Sequence, residues 1–241
     1  HCSNVVGHVN PVADIAAKAH AVGAHVVTDG VAYAPHGLPD IDELGVDVYL
    51  FSSYKTYGPH QGIMVVRSAL RDQLVNQSHY FNAKLPHKKL TPAGPDHAQI
   101  AASAGMADYF DAIHDHHFSD NVPADERGRR IHTLFRQSEE KRLAPLLTWL
   151  DDQKSIELVG PADATIRAPT VAVVTKEKSA AFIARELAEH KVMAGNGNFY
   201  AVRVLDGLNI PLDPGVLRMS FVHYTTDAEV NQLIQALDTI L

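Results

Sequence analysis

Three short β-rich runs, residues 24–28, 46–52 and 62–67, alternate with helical patterns in the first part of the chain. Residues 11–23 set Val12, Ile15, Ala16 and Ala19 on one helical face, with Pro11 at the start and Gly23 at the end. That is the proline-first, glycine-last asymmetry of a helix. Residues 40–44 predict a short helical turn stopped by Gly45. Strands separated by helices point to parallel pairing, because a parallel neighbour is reached through a crossover rather than a hairpin. The pattern predicts an α/β fold with a mainly parallel sheet covered by helices.

The pattern then changes. Residues 79–96 are rich in proline and lysine and lack periodicity, which predicts a long loop. Residues 97–113 predict a helix. A longer one lies within 123–151, with Glu126, Arg127, Arg129 and Arg130 on a charged face and Leu143, Leu146, Leu147 and Leu150 on a later apolar one. Beyond it, strands are expected at 156–159, 170–175 and 217–222, and amphipathic helices at 179–190 and 226–241. Thr226 and Glu229 stand at capping-box spacing. The expected organisation is the C-terminal part of a large domain over 1–120, a linking helix over 121–150 and a small α/β domain over 151–241.

Composition narrows the function classes. The 241 residues carry a net charge of −7, whereas a nucleic-acid binder needs a basic face to neutralise phosphates. No apolar run approaches the roughly 20 residues of a membrane span. The single cysteine, Cys2, has no partner for an internal disulfide, so nothing points to an oxidising compartment. A cytoplasmic protein with neither nucleic acid nor membrane as partner is expected. The 15 histidines make its charge change steeply around their ordinary pKa of about 6.5.

In doubly wound sheets, ligands bind beyond the carboxyl ends of the strands. Two such ends carry chemistry here: Asp29 follows the first β run, and Ser52-Ser53-Tyr54-Lys55 closes the second. Pyridoxal phosphate needs this combination, a lysine for a Schiff base and a carboxylate that keeps its pyridine nitrogen protonated. A surface Asp–Lys pair worth about 0–1 kcal/mol accounts for the same residues, and by themselves they leave both readings open.

The wider pattern resolves this. SNVVG (3–7), AHAVGAHVVTDG (19–30) and FSSYKTYGPHQG (51–62) resemble the class V aminotransferase family, which includes cysteine desulfurases and selenocysteine lyases. KLTPAGPDHAQIAA (89–102) and VLRMSFVHYTTDAEVNQLIQAL (216–237) resemble its later segments. The resemblance implies a pyridoxal-phosphate enzyme of fold type I, similar to aspartate aminotransferase. It would have a partial large domain with a mainly parallel sheet and a small C-terminal α/β domain. Lys55 is implied as the catalytic Schiff-base lysine and Asp29 as the partner of the pyridine nitrogen. Asn4 is implied near the ring's phenolic oxygen and Ser52 at the phosphate. Thr91 would reach the phosphate of a neighbouring subunit in a homodimer, and Arg218 would bind the α-carboxylate of an amino-acid substrate. No metal is implied.

This chain departs from the family pattern at several places. Ala32 stands where the family usually has glutamine, and Tyr54 where desulfurases usually have histidine before the lysine. The segment 195–207, which matches the desulfurase cysteine loop, contains no cysteine, and Tyr200 is the best match for that position. The family's phosphate-cradling turn and ring-stacking aromatic do not precede Asn4. The expectation is a transferase or lyase resembling a cysteine desulfurase but without the usual cysteine. Alternatives are a class V aminotransferase or epimerase, and a truncated, catalytically incompetent remnant. The histidines of 114–118 are expected as solvated helix-end residues, and Gly195–Asn198 is read as a flexible turn. Cys2 is read as a small packing residue. His36, His60 and Arg203 are weaker candidates for lining the site.

Overall fold

The computed structural model describes residues 1–91 and 93–241. Contacts divide them into two units, one of His1 and Pro11–Ile131, the other of Cys2–Asn10 and His132–Leu241.

In the first unit, α1 (Val12–His20) buries Val12 and Ala16 and leads to β1 (Val27–Asp29). Helix α2 (Ile41–Leu44) is opened by the Asp40 carboxylate, which accepts from the backbone N–H of Asp42 and Glu43. Strands β2 (Val48–Ser52) and β3 (Gly62–Val66) follow, then α3 (Ser68–Gln73), α4 (His97–Ala102), α5 (Ala104–His117) and the start of α6 (Ala124–Asp151). Among the described residues the sheet has the order β1-β2-β3. β1 runs parallel to β2, with Asp29 opposite Leu50. β3 returns antiparallel, with Ser52 opposite Gly62, because the link between β2 and β3 holds a 3₁₀ turn and no crossover helix.

Side chains alternate across a strand. Tyr49 and Phe51 therefore enter the core with Val12, Ala16, Ala34, Val46 and Met106, each large one contributing about 1.5–3 kcal/mol of burial. Asp29, Leu50 and Ser52 share the opposite face. The single helix expected over 97–113 is two, α4 and α5, joined at Ser103. The hydroxyl of Ser103 donates to the Gln99 carbonyl at 3.0 Å and to Gln61 Oε1 at 2.8 Å, the kind of back-bonding that bends helices.

The second unit holds β4 (Ile156–Val159), β5 (Thr170–Thr175), α7 (Ala180–Glu189), β6 (Gly195–Gly197), α8 (Val202–Gly207), β7 (Val216–Ser220) and α9 (Asp227–Ile240). Its sheet is antiparallel throughout, in the order β4-β5-β7-β6. Leu146, Ile183, Leu187, Leu217 and Leu237 form its main core. Val5 and Val6 pack with Val159, Ala172, Leu205 and Val216 in a second cluster.

The segment expected as a turn at 195–198 is strand β6, and α8 follows it. A strand of two glycines and an asparagine carries no hydrophobic alternation, so only its pairing with β7 reveals it. The two strands close up where Gly215, at φ +73°, passes Gly197; a Cβ on Gly215 would lie 2.3 Å from the Gly197 carbonyl carbon. Among the described residues, no helix is long and apolar enough to cross a membrane.

Candidate active site

Lys55 ends the 3₁₀ turn Ser53–Lys55 directly beyond β2, and the loop behind it is tightly tied. Ser53 is fully buried; its hydroxyl donates to the carbonyls of Pro59 and Gln61, and its own carbonyl accepts from Thr56 and Gly58, both at 2.8 Å. Thr56 Oγ1 donates to the Ser52 carbonyl at 3.0 Å, and the Tyr57 hydroxyl to the Pro35 carbonyl at 2.7 Å. The lysine thus extends from a rigid base into solvent. Its Nζ lies 5.9 Å from the ring centroid of Tyr54, which stacks on His60 at 4.5 Å.

Asp29 ends β1 at the same carboxyl edge of the parallel pair. It is exposed, and its Oδ1 accepts from the Val31 N–H at 2.9 Å. Among the described residues no side-chain cation pairs with the Asp29 carboxylate and no carboxylate pairs with Lys55. Ser52, half-buried, lies on the Asp29 face. Thr91, also half-buried, lines a pocket of about 590 Å³ with Gln61, Met64, Arg71 and His87.

The second unit holds the other set. Arg218 lies on β7, between Ala172 of β5 and Gly195 of β6. Its Nη1 donates to the Asn4 carbonyl at 2.8 Å, and Asn4 Nδ2 donates to the Phe199 carbonyl at 2.9 Å. The guanidinium sits 3.9 Å from the centroid of the Phe199 ring. Burial lowers its pKa, and no carboxylate among the described residues neutralises it. Phe199 had no sequence signal beyond its place beside Tyr200. Tyr200 itself is almost fully exposed.

Several lesser candidates resolve plainly. His114, expected in solvent, is only 1% exposed and packs against Phe118 at 5.0 Å; His116 and His117 are exposed. His36 is buried, while His60 and Arg203 are exposed. Cys2 is half-buried and bridges to Val9. Among the described residues no group of three or more His, Cys, Asp or Glu could hold a metal.

A parallel strand pair carrying an aspartate and a lysine at its carboxyl edge, with a separate antiparallel α/β unit, is the fold type I architecture of pyridoxal-phosphate enzymes. Comparison with known proteins agrees. The family "Aminotransferase class-V" matches residues 1–105 and 130–233, and the chain belongs to that family, which is pyridoxal-phosphate-dependent. It is 33% identical to an aminotransferase-like protein of Gibberella zeae, over 100% of this chain and 58% of that one. It is 30% identical to a cysteine desulfurase-like protein of Aspergillus flavus, over 100% of this chain and 53% of that one. The chain thus spans little more than half the length of these relatives. A cysteine desulfurase from Thermococcus onnurineus has a similar structure, with a TM-score of 0.77 at 22% identity, over 100% of this chain and 58% of that one.

Proposed function

We propose that this chain belongs to a pyridoxal-phosphate-dependent transferase or lyase that acts on an amino acid, with Lys55 as its catalytic residue. The observation that carries this reading is the pair of exposed side chains, Asp29 and Lys55, at one edge of β1 and β2, neither in a side-chain ion pair among the described residues. The donor set fits the cofactor: an amine to bond it, a carboxylate to hold its ring proton, and the Ser52 hydroxyl on the Asp29 face as a phosphate donor. When bound, the cofactor supplies an electron sink for negative charge at the substrate α-carbon.

The chain's own residues do the rest. Asp29 holds a proton at the pyridine nitrogen. Lys55 moves the proton at the substrate α-carbon. Arg218 orients the α-carboxylate through its planar fork. Asn4, Ser52 and Thr91 complete the cofactor contacts, with Thr91 serving a partner subunit in a homodimer. The same reading divides the chain at 1–120, 121–150 and 151–241 and places the protein in the cytoplasm.

The one thiol, Cys2, lies outside the segment 195–207, where Tyr200 takes the matching place. This favours transamination, epimerisation or elimination without a persulfide. A second reading, a chain that keeps the fold without turnover, draws on the exposed apolar residues of the first sheet, Val27 at 62% and Met64 at 47%.

The test is an absorbance spectrum with added pyridoxal phosphate, followed by borohydride and peptide mass analysis, then an amino-acid panel. The expected result is a visible band that borohydride fixes at Lys55 and that Lys55→Ala abolishes. A wild-type chain that forms no such band overturns the catalytic reading.

A further inference from the structure

Phe199 and Tyr200 adopt φ +51° and +62°, a left-handed backbone that bulky residues rarely accept. The conformation is held locally. Tyr200 N–H donates to Asn198 Oδ1 at 3.0 Å, Ala201 N–H to the Asn198 carbonyl at 2.9 Å, and Asn4 Nδ2 to the Phe199 carbonyl at 2.9 Å. The Phe199 ring is thereby laid against Gly195, where an added Cβ would meet it at 3.0 Å. Gly195 is the registered β6 neighbour of Arg218, and the guanidinium lies over the ring.

We propose that Phe199 is a positioning residue: it holds the Arg218 guanidinium flat and leaves its Nε–Nη2 edge as the receptor for a ligand carboxylate. The proposal rests on the reading of Arg218 as the carboxylate anchor and identifies what presents it. Nη1 is occupied by the Asn4 carbonyl, while Nε and Nη2 make no hydrogen bond among the described residues.

Ring and carbonyl do different work. A carboxylate beneath Arg218 would neutralise it and occupy its fork. An aromatic face attracts the cation through its quadrupole and leaves the full charge for a ligand. It also restricts the side chain to one plane before binding, which lowers the ordering cost when a bidentate partner docks. The strained backbone at 199 and 200 is the means by which a residue so close in space to β6 turns its ring under β7.

The test uses the full 241-residue chain and propionate, a carboxylate that needs neither amine chemistry nor cofactor. Affinity is followed by titration calorimetry, and the Arg218 Nε–H resonance by nitrogen-edited NMR. Expected are propionate binding by the wild type and a ring-current shift of that resonance. Arg218→Gln should lose the binding. Phe199→Leu should weaken it about tenfold and lose the shift, and Phe199→Tyr should restore both.

Wild-type affinity in Phe199→Leu overturns the positioning role, while the loss in Arg218→Gln keeps the carboxylate-anchor reading intact. If Arg218→Gln binds as tightly as wild type, that reading falls and the proposal with it. Should Phe199→Leu fail to fold, the wild-type resonance decides, because an unshifted Arg218 Nε–H overturns the stack.

Discussion

Arg167 is fully buried and donates from Nη2 to the carbonyl of Val6 at 3.1 Å, which fastens the segment 2–10 to the rest of the second unit. The same nitrogen reaches the Thr170 carbonyl at 2.7 Å, and Nη1 donates to the Pro161 carbonyl. Arg136 secures the residue from behind through a bond of 2.9 Å to its carbonyl. Burial pushes the Arg167 guanidinium down to about 10, still charged at neutral pH. Replacing it with methionine keeps most of the volume and strips three carbonyls of their donor. Arg167→Met should lower stability by about 3–5 kcal/mol, read as a shifted urea midpoint.

His132 provides a pH-dependent contribution. Burial, and secondarily the Arg136 charge, hold its pKa below the ordinary 6.5. The unfolded chain then binds a proton more readily than the folded one between the depressed value and 6.5. Its stability contribution is complete above 6.5 and is lost as pH falls through the depressed value. Unfolding free energies measured from about pH 5 to 7 should show a slope that His132→Gln flattens.

The entry to α9 is a reciprocal cap. Thr226 Oγ1 accepts from the Glu229 N–H at 3.2 Å, and Glu229 Oε2 accepts from the Thr226 N–H at 2.7 Å. Those backbone and hydroxyl bonds from Thr226 hold the Glu229 carboxyl below its ordinary 4.5. Thr226→Ala should reduce stability by about 1 kcal/mol. Carbon-detected titration should show the Glu229 midpoint moving back toward 4.5.

Gly215→Ala tests the closeness of β6 and β7. Its Cβ would be driven into the backbone of Gly197 at a φ that alanine disfavours. The expected cost is about 2 kcal/mol or more. Hydrogen exchange at 195–197 should rise.

Lys55→Arg separates fold from chemistry. Lys55 is exposed and makes no ion pair among the described residues, so the unfolding free energy should stay within about 0.5 kcal/mol of wild type. The borohydride-fixed mass at residue 55 should vanish, because a guanidinium cannot take the amine's place.

Much of the fold was readable from local pattern. Strands β4 and β5 lie where alternation and β-branched residues put them, at Ile156–Val159 and Thr170–Thr175. The Thr226 cap opens α9 as its spacing with Glu229 predicts. Asp29 and Lys55 stand out because they follow apolar runs too short to be anything but strands. β6 was not readable, because Gly195, Asn196 and Gly197 offer neither alternation nor β-branching. Nor was the burial of His114, whose helical neighbours Asp115, His116 and His117 are all exposed.

Most of the strands and helices, the Thr226 cap and the strand-end placement of the aspartate and lysine follow from the sequence alone, because periodicity and turn chemistry act over a few residues. The packing of Val5 and Val6 against β5 and β7, the bond from Arg218 to the Asn4 carbonyl and the stack of Phe199 on Arg218 are decided by tertiary structure. Each joins residues through space, 214 positions apart for Asn4 and Arg218, and no local pattern encodes which distant carbonyl or ring a buried guanidinium will meet.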